Sequence, residues 1–132
     1  MSEENVEIVR RVLEAWNRSD FDAGLALCDP NVVIDRSRSL LDARVYRGLD
    51  EVARFTDDWR ATWASTHWEI DEFIDAGDDV VVLGRFQGIG VNSGAPVDAT
   101  FAQVMTVRDG KLVRGVLFQS RAEALEAAGL SE

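Results

Sequence analysis

The chain has 132 residues, 46% of them apolar, and 24 acidic against 14 basic side chains leave it a net charge of −10. That length suits a single domain over 1–132, and that apolar content builds a core and excludes a disordered chain. The charge excludes nucleic acid and anionic membrane surfaces as expected partners, because binding phosphate needs a basic face.

The first element in the chain is an amphipathic helix. Ser2 is placed to cap it, Glu3 and Glu4 suit its positive end, and Val6, Val9, Leu13 and Trp16 recur at helical spacing. Asn17-Arg18-Ser19-Asp20 breaks this helix, and Asp20 caps a short second one over about 21–28, ended by Asp29-Pro30. Val32-Val33-Ile34 reads as a strand, and 36–47 as polar, irregular chain. Gly48 and Asp50 open a third helix, with Val52, Phe55, Trp59 and Trp63 along one face. From Thr66 the pattern turns extended, with Trp68 and Ile70 alternating with Glu69 and Asp71. Residues 76–79 make a turn, 80–88 a strand that is apolar on both faces at its start, and 92–96 a loop. Two further strands, 97–107 and 111–119, flank Asp109-Gly110, the sharpest hairpin signal in the chain. Ser120 with Glu123 forms a capping box for a last helix that Gly129 closes.

This order predicts an α+β fold: a curved, mostly antiparallel sheet wrapped around the N-terminal helices as a cone-shaped α+β barrel. The two-faced apolar run at 80–83 predicts that the outer face of the sheet meets a second copy. A homodimer is therefore expected, on a face carried by Val80, Val82, Phe86, Ala102 and Val104. The charged, amphipathic start holds no secretory core, and no apolar run approaches membrane length. A cytoplasmic protein without a membrane partner is expected. One cysteine, Cys28, and one histidine, His67, exclude an internal disulfide and a cysteine–histidine zinc set. Asp57-Asp58 reads as a solvated helix face and Asp78-Asp79 as a turn. Their spacing fits no calcium loop, and no metal site or cofactor is expected.

The segments AWNRSDFDAGLALCDPNVVID, VYRGLDEVARF, DEFIDAGDDVVVLGRF and TVRDGKLVRGVLFQSRAEALEAAGL together resemble the SnoaL-like proteins of the nuclear transport factor 2-like superfamily. The resemblance covers almost the whole chain. It implies a cone closed by helices around a ligand cavity, often in a homodimer. The superfamily includes polyketide cyclases, ketosteroid isomerases and limonene epoxide hydrolase, so the fold does not choose the reaction. Where ketosteroid isomerases carry a tyrosine and a general-base aspartate, this chain has Val12 and Arg36, with Asp35 one residue away. An arginine accepts no proton at neutral pH. Where the epoxide hydrolase has an arginine and two aspartates, this chain has Arg85, Gln87 and Leu117. Neither an amide nor a leucine activates water as a carboxylate does. Ser120 and Gln103 stand where many SnoaL-like chains have an aspartate and a histidine.

Several residues remain as candidates. Arg85 and Gln87 share a strand face with Leu83 by period two; the resemblance implies that they floor the cavity, and the alternative is an arginine paired with an acidic neighbour at the sheet edge. Phe101, Gln103 and Met105 share a face in the same way and are expected to line it. The amide of Gln103 must find a partner there, in Arg85, a water, a ligand or a neighbouring side chain. Trp16, Trp59 and Trp63, with Trp68, serve as core packing, as walls for a flat ligand, or as both. Tyr46 points into the cavity mouth or packs over its loop. Asp35 reads as a solvated turn aspartate and His67 as a surface or edge histidine; in an enzyme Asp35 is the best-placed general base, with His67 and Tyr46 as the other acid–base groups and Arg85 and Gln103 as oxyanion or carbonyl stabilisers. Two functions follow as expectations. One is a cofactor-independent isomerase, cyclase or hydrolase acting on a small molecule in a hydrophobic pocket. The other is a non-catalytic ligand-binding or dimerisation module on the same fold. The expected ligand is apolar or aromatic and carries an oxygen acceptor.

Overall fold

The computed structural model describes residues 2–39 and 43–130. The cap expected of the Ser2 side chain lies outside what is described. Helix α1, Ser2–Asn17, buries Val9, Val12 and Leu13 as its spacing predicts, with Val6, Ile8 and Trp16 partly buried beside them. It ends where expected: Ser19 takes a positive φ, and the Asp20 N–H donates to the Ala15 carbonyl at 2.8 Å. Asp20 then caps α2, Phe21–Leu25, its Oδ1 accepting from the Ala23 N–H at 3.2 Å.

The second helix is shorter than predicted, and Pro30 does not end it. Strand β1, Cys28–Asp35, already contains that proline. The ladder between β1 and the last strand shifts register between Cys28 and Val33, so a residue without an N–H is tolerated there. The stretch 36–47 hides one short strand, β2, Val45–Arg47, paired antiparallel to β1 with Tyr46 opposite Ile34. Gly48, at φ +83, turns the chain directly into α3, Gly48–Thr62. No side chain caps it in the usual way. Instead Glu51 reaches back, its Oε1 accepting from the Arg47 N–H at 2.9 Å. The helix gives way to strand at Trp63, three residues before the expected change.

Strands β3, Trp63–Ala76, β4, Asp79–Gly90, β5, Pro96–Arg108, and β6, Lys111–Phe118, follow, and α4, Arg121–Ala127, closes the described chain. Asp109 and Gly110 both have positive φ, as a two-residue hairpin between Arg108 and Lys111 requires. The sheet order is β2-β1-β6-β5-β4-β3, antiparallel throughout except for the β1–β6 pair. The α+β class and the curved, mostly antiparallel sheet agree with the sequence reading. The barrel does not: the sheet is mixed and open, with β2 and β3 at its edges.

The two faces of the sheet have different covers. Val80, Val82, Phe86, Phe101 and Met105 pack inward against α1 and α3 residues such as Val9, Val12 and Val52. Val81, Leu83, Ala102, Val104, Val116 and Phe118 form the outer face, where Ala124 and Leu125 of α4 pack on them. This corrects the expected outer face. Val80, Val82 and Phe86 belong to the interior, and the apolar outer residues are met by the chain's own last helix. Ser120 caps that helix as predicted, accepting from the Glu123 N–H at 3.2 Å. Among the described residues no helix is long and apolar enough to cross a membrane.

Candidate functional site

An aromatic cluster between α3 and the inner face of the sheet organises the site. Trp59 is its hub. Its ring lies 5.7 Å from Phe55, 5.6 Å from Trp63, 5.5 Å from Phe86 and 5.8 Å from Trp68, on which it stacks. Helical spacing aligns Phe55 and Trp59, while β3 and β4 supply the other rings. Asn17 holds Trp68 in place: its Nδ2 donates to the Trp68 carbonyl and its Oδ1 accepts from the Trp68 N–H, both at 3.0 Å.

Two spaces adjoin this cluster. One is a cavity of about 50 Å³ bordered by Leu13, Trp16, Ile34, Trp68, Gln103 and Met105, with Asp35, Arg36, Phe55 and Trp59 also in its wall. The other is a cleft of about 690 Å³ whose wall includes Arg44, Tyr46, Asp58, Trp63 and Asn92. Arg36, Phe55 and Trp59 border both spaces. The Arg36 guanidinium carbon lies 5.2 Å from the Phe55 ring centre and 5.4 Å from that of Trp59. That is cation–π range, and the side chain is buried. Arg44 sits similarly over Tyr46, at 5.1 Å, but is exposed.

The polar groups differ in what they can do. β1 alternation carries Ile34 and then Arg36 to the interior, while Asp35 pairs with the outer-face residue Val116. Asp35 is among the residues that border the cavity, but its carboxylate is engaged: its Oδ1 accepts from Ser37 Oγ at 2.6 Å and from the Ser37 N–H at 2.9 Å. Partial burial acts to raise its pKa. The Ser37 bonds and the Arg38 and Arg114 charges outweigh that and hold it below the ordinary carboxylate value. Such a group is a weak proton acceptor at neutral pH. Burial pushes the Cys28 thiol up to about 11, so it offers no nucleophile. Among the described residues no cluster of three metal-binding side chains occurs.

The predicted candidates separate into three groups. Trp16, Asp35, Trp59, Gln103 and Met105 border the cavity, and Tyr46, Trp59 and Trp63 border the cleft. Phe101 faces inward too, but it packs edge-on behind Trp68 at 5.0 Å and lines neither space. Arg85 and Gln87 are corrected: both are exposed on the opposite face, in register with Thr100 and Asp98. Arg85 Nε donates to Asp98 Oδ1 at 2.7 Å, and that bond favours the charged form of each. The parity error arose because 80–83 is apolar on both faces, so alternation alone does not say which face is inside. Phe86 carried the missing signal, since an aromatic at that parity belongs with the tryptophans. His67 is exposed and stands opposite Gln87. Trp68 borders the cavity as one of the expected walls, while Arg36 and Asp58 are site residues that the sequence did not single out. Two-residue spacing from the buried Ile34 pointed to Arg36.

Helices on the inner face of a curved, open sheet, with a lined hollow between them, define the nuclear transport factor 2-like class. Residues 9–115 match the model of the SnoaL-like domain family, and this chain belongs to that family. No curated protein matches it in sequence. Among solved structures it is similar to a nuclear transport factor 2-like protein of unknown function from Burkholderia pseudomallei K96243. The two are 28% identical over 93% of this chain and 95% of that one, with a TM-score of 0.78. TerC, co-crystallised with polyporic acid, is 20% identical over 96% and 98%, at 0.76. A protein of ketosteroid isomerase-like fold from Catenulispora acidiphila DSM 44928, in complex with trimethylamine, is 18% identical over 94% and 93%, also at 0.76.

Proposed function

We propose that this SnoaL-like protein is a small-molecule binder whose ligand is flat, largely apolar and carries an anionic or acceptor oxygen. The observation that carries this reading is the buried guanidinium of Arg36, set against Phe55 and Trp59 where cavity and cleft adjoin. Arg44 adds a second cation to the cleft, in a chain of net charge −10. The tryptophans supply flat walls at little conformational cost. Asp58 also borders the cleft, so its wall is not uniformly positive. Polyporic acid and trimethylamine bound to two proteins of this fold put ligand choice in the side chains and not in the fold. Arg36 takes here the role that the sequence suggested for Arg85.

Catalysis as an isomerase, cyclase or hydrolase is the second reading, favoured by the place of Asp35 at the cavity wall. Its lowered pKa makes binding the stronger reading. A homodimer and a cytoplasmic location remain part of the proposal. The homodimer has lost its first motive, because α4 packs on the apolar outer face. It would use the polar remainder of that face, around His67, Arg85 and Asp98. Sedimentation of a monomer at tens of micromolar would end it.

The binding reading is tested by calorimetric titration with a biphenyl carboxylic acid and a biphenyl amine of equal size. The acid should bind more tightly, and Arg36→Met should remove that preference. Equal affinities, or a preference for the amine, would overturn the reading.

A further inference from the structure

Gln103 stands on the inner face of β5, opposite Val82 of β4 and Leu117 of β6. Its Oε1 is buried at the cavity and accepts no hydrogen bond from the described residues. Buried carbonyl oxygens are seldom left in that state, because their lost hydration is not replaced. The nearby wall does not replace it. Leu13, Ile34, Met105 and Leu117 are apolar, Thr56 Oγ1 donates to the Ala53 carbonyl, and the Arg36 guanidinium does not donate to Gln103 Oε1. The indole N–H of Trp16 is also buried without a partner among the described residues, but its Nε1 is backed by Gly24, where a Cβ would lie only 2.3 Å away.

The size of the space narrows what can come. About 50 Å³ is more than the ~10–15 Å³ that one water needs. It is far less than the roughly 300–1,000 Å³ of a site for a whole drug-sized molecule. The cavity is sized for one functional group, and among the described residues no donor of its wall is bonded to Gln103 Oε1. The larger space shares Arg36, Phe55 and Trp59 with the cavity and adds Arg44.

We infer that the cavity is a hydroxyl subsite: Gln103 Oε1 accepts a hydrogen bond from a phenolic or enolic O–H at the buried end of a ligand whose acidic end lies in the cleft. The ligand class is then a hydroxy-aromatic acid. This rests on the reading of the cleft as a site for an acid, and it makes Gln103 the residue that selects among acids.

Calorimetry with three para-substituted biphenyl carboxylic acids tests the inference: the hydroxy compound, its methoxy ether and the unsubstituted acid. The native chain should bind the hydroxy acid about tenfold more tightly than the other two, the difference one well-placed hydrogen bond makes. Gln103→Leu should bring the three to within about twofold of one another. Gln103→Met serves where the branched side chain fails to fold. Equal affinities in the native chain would mean that a water or nothing meets Gln103, and would overturn the inference while the acid site stands. A preference for the ether, or a hydroxyl preference that survives both substitutions, would overturn it too. Failure of all three acids to bind would instead remove the reading of the cleft, and the inference with it.

Discussion

Asn17 and Trp68 are joined as one backbone residue to another: the amide of Asn17 gives and takes a hydrogen bond with the main chain of Trp68, each at 3.0 Å. The last residue of α1 thereby acts as a short extra strand beside β3, an edge strand whose groups would otherwise lack a partner there. Asn17→Ala should cost about 1–3 kcal/mol for the two bonds. Tm should fall by about 3–6 °C per kcal/mol in a chain of this size. Asn17→Asp should be no better, because a carboxylate cannot donate to the Trp68 carbonyl. Urea unfolding followed by tryptophan emission checks both.

Arg85→Leu should leave ligand affinity and acid-over-amine selectivity unchanged. The side chain is exposed, bonded to Asp98, and on the face away from the cavity. Arg36→Met should lower the affinity for a biphenyl carboxylic acid by about tenfold, the loss of one charge-assisted hydrogen bond. Parallel titrations of the two variants separate the faces of the sheet. The opposite ranking would place the site outside.

The helices, the hairpin at Asp109-Gly110 and the cap at Ser120 were legible because each rests on local chemistry: periodicity, positive φ, and a hydroxyl facing a free N–H. The Phe101–Gln103–Met105 face was legible by parity. Parity failed on β4, since Val81 and Leu83 are as apolar as Val80 and Val82, one pair facing α4 and the other facing α1 and α3. β2 was hidden because its three residues are held by partners distant in sequence or structure type, by pairing with β1 and by Tyr46 packing on Phe55 of α3. The part played by Asn17 was hidden for a related reason. A side chain that ends a helix also bonds a strand 51 residues away, and spacing in the sequence carries no trace of that.

Asp35 gives the protein an acid-sensitive term. Its folded pKa lies below the ordinary value of an aspartate, so the carboxylate form is favoured by folding. That contribution is fully present above the unfolded value of about 3.9 and is lost as pH falls through the folded one. Asp35→Asn should therefore flatten the fall in stability below about pH 4 and leave the pH dependence at neutrality unchanged. Denaturation midpoints taken from acid to neutral pH check this. The same ionisation means that Asp35 itself should put no break in a rate profile between about pH 5 and 8.

Gly24→Ala should disturb the cavity wall from behind. A Cβ at Gly24 would meet Trp16 Nε1 at 2.3 Å and Cδ1 at 2.6 Å, closer than real contacts allow. The indole must shift, and it borders the cavity on its other side. A loss of about 1–3 kcal/mol is expected from overpacking. A changed affinity for the ligand probe should accompany it. A variant as stable as the native chain would show that Trp16 yields freely and is a poor cavity wall.

The last helix supplies the sharpest test of how the outer face is kept from water. Leu125 and Ala124 are buried against Val81, Leu83, Val104 and Val116, while Arg121 Nη1 bonds Glu72 Oε1 across the sheet at 3.1 Å. Truncating Leu125 to alanine removes apolar burial and leaves a cavity, at about 2–5 kcal/mol. The Arg121–Glu72 pair is exposed at both ends and adds little. Removing residues 120–130 does more than destabilise, since it uncovers a contiguous apolar patch on the sheet. The shortened chain should self-associate at concentrations where the full chain keeps one sedimentation coefficient, and should bind a hydrophobic dye. If shortened and full chains sediment alike, something other than α4 covers Val81, Leu83 and Val104 in solution. The same face would then be the place to look for a second subunit.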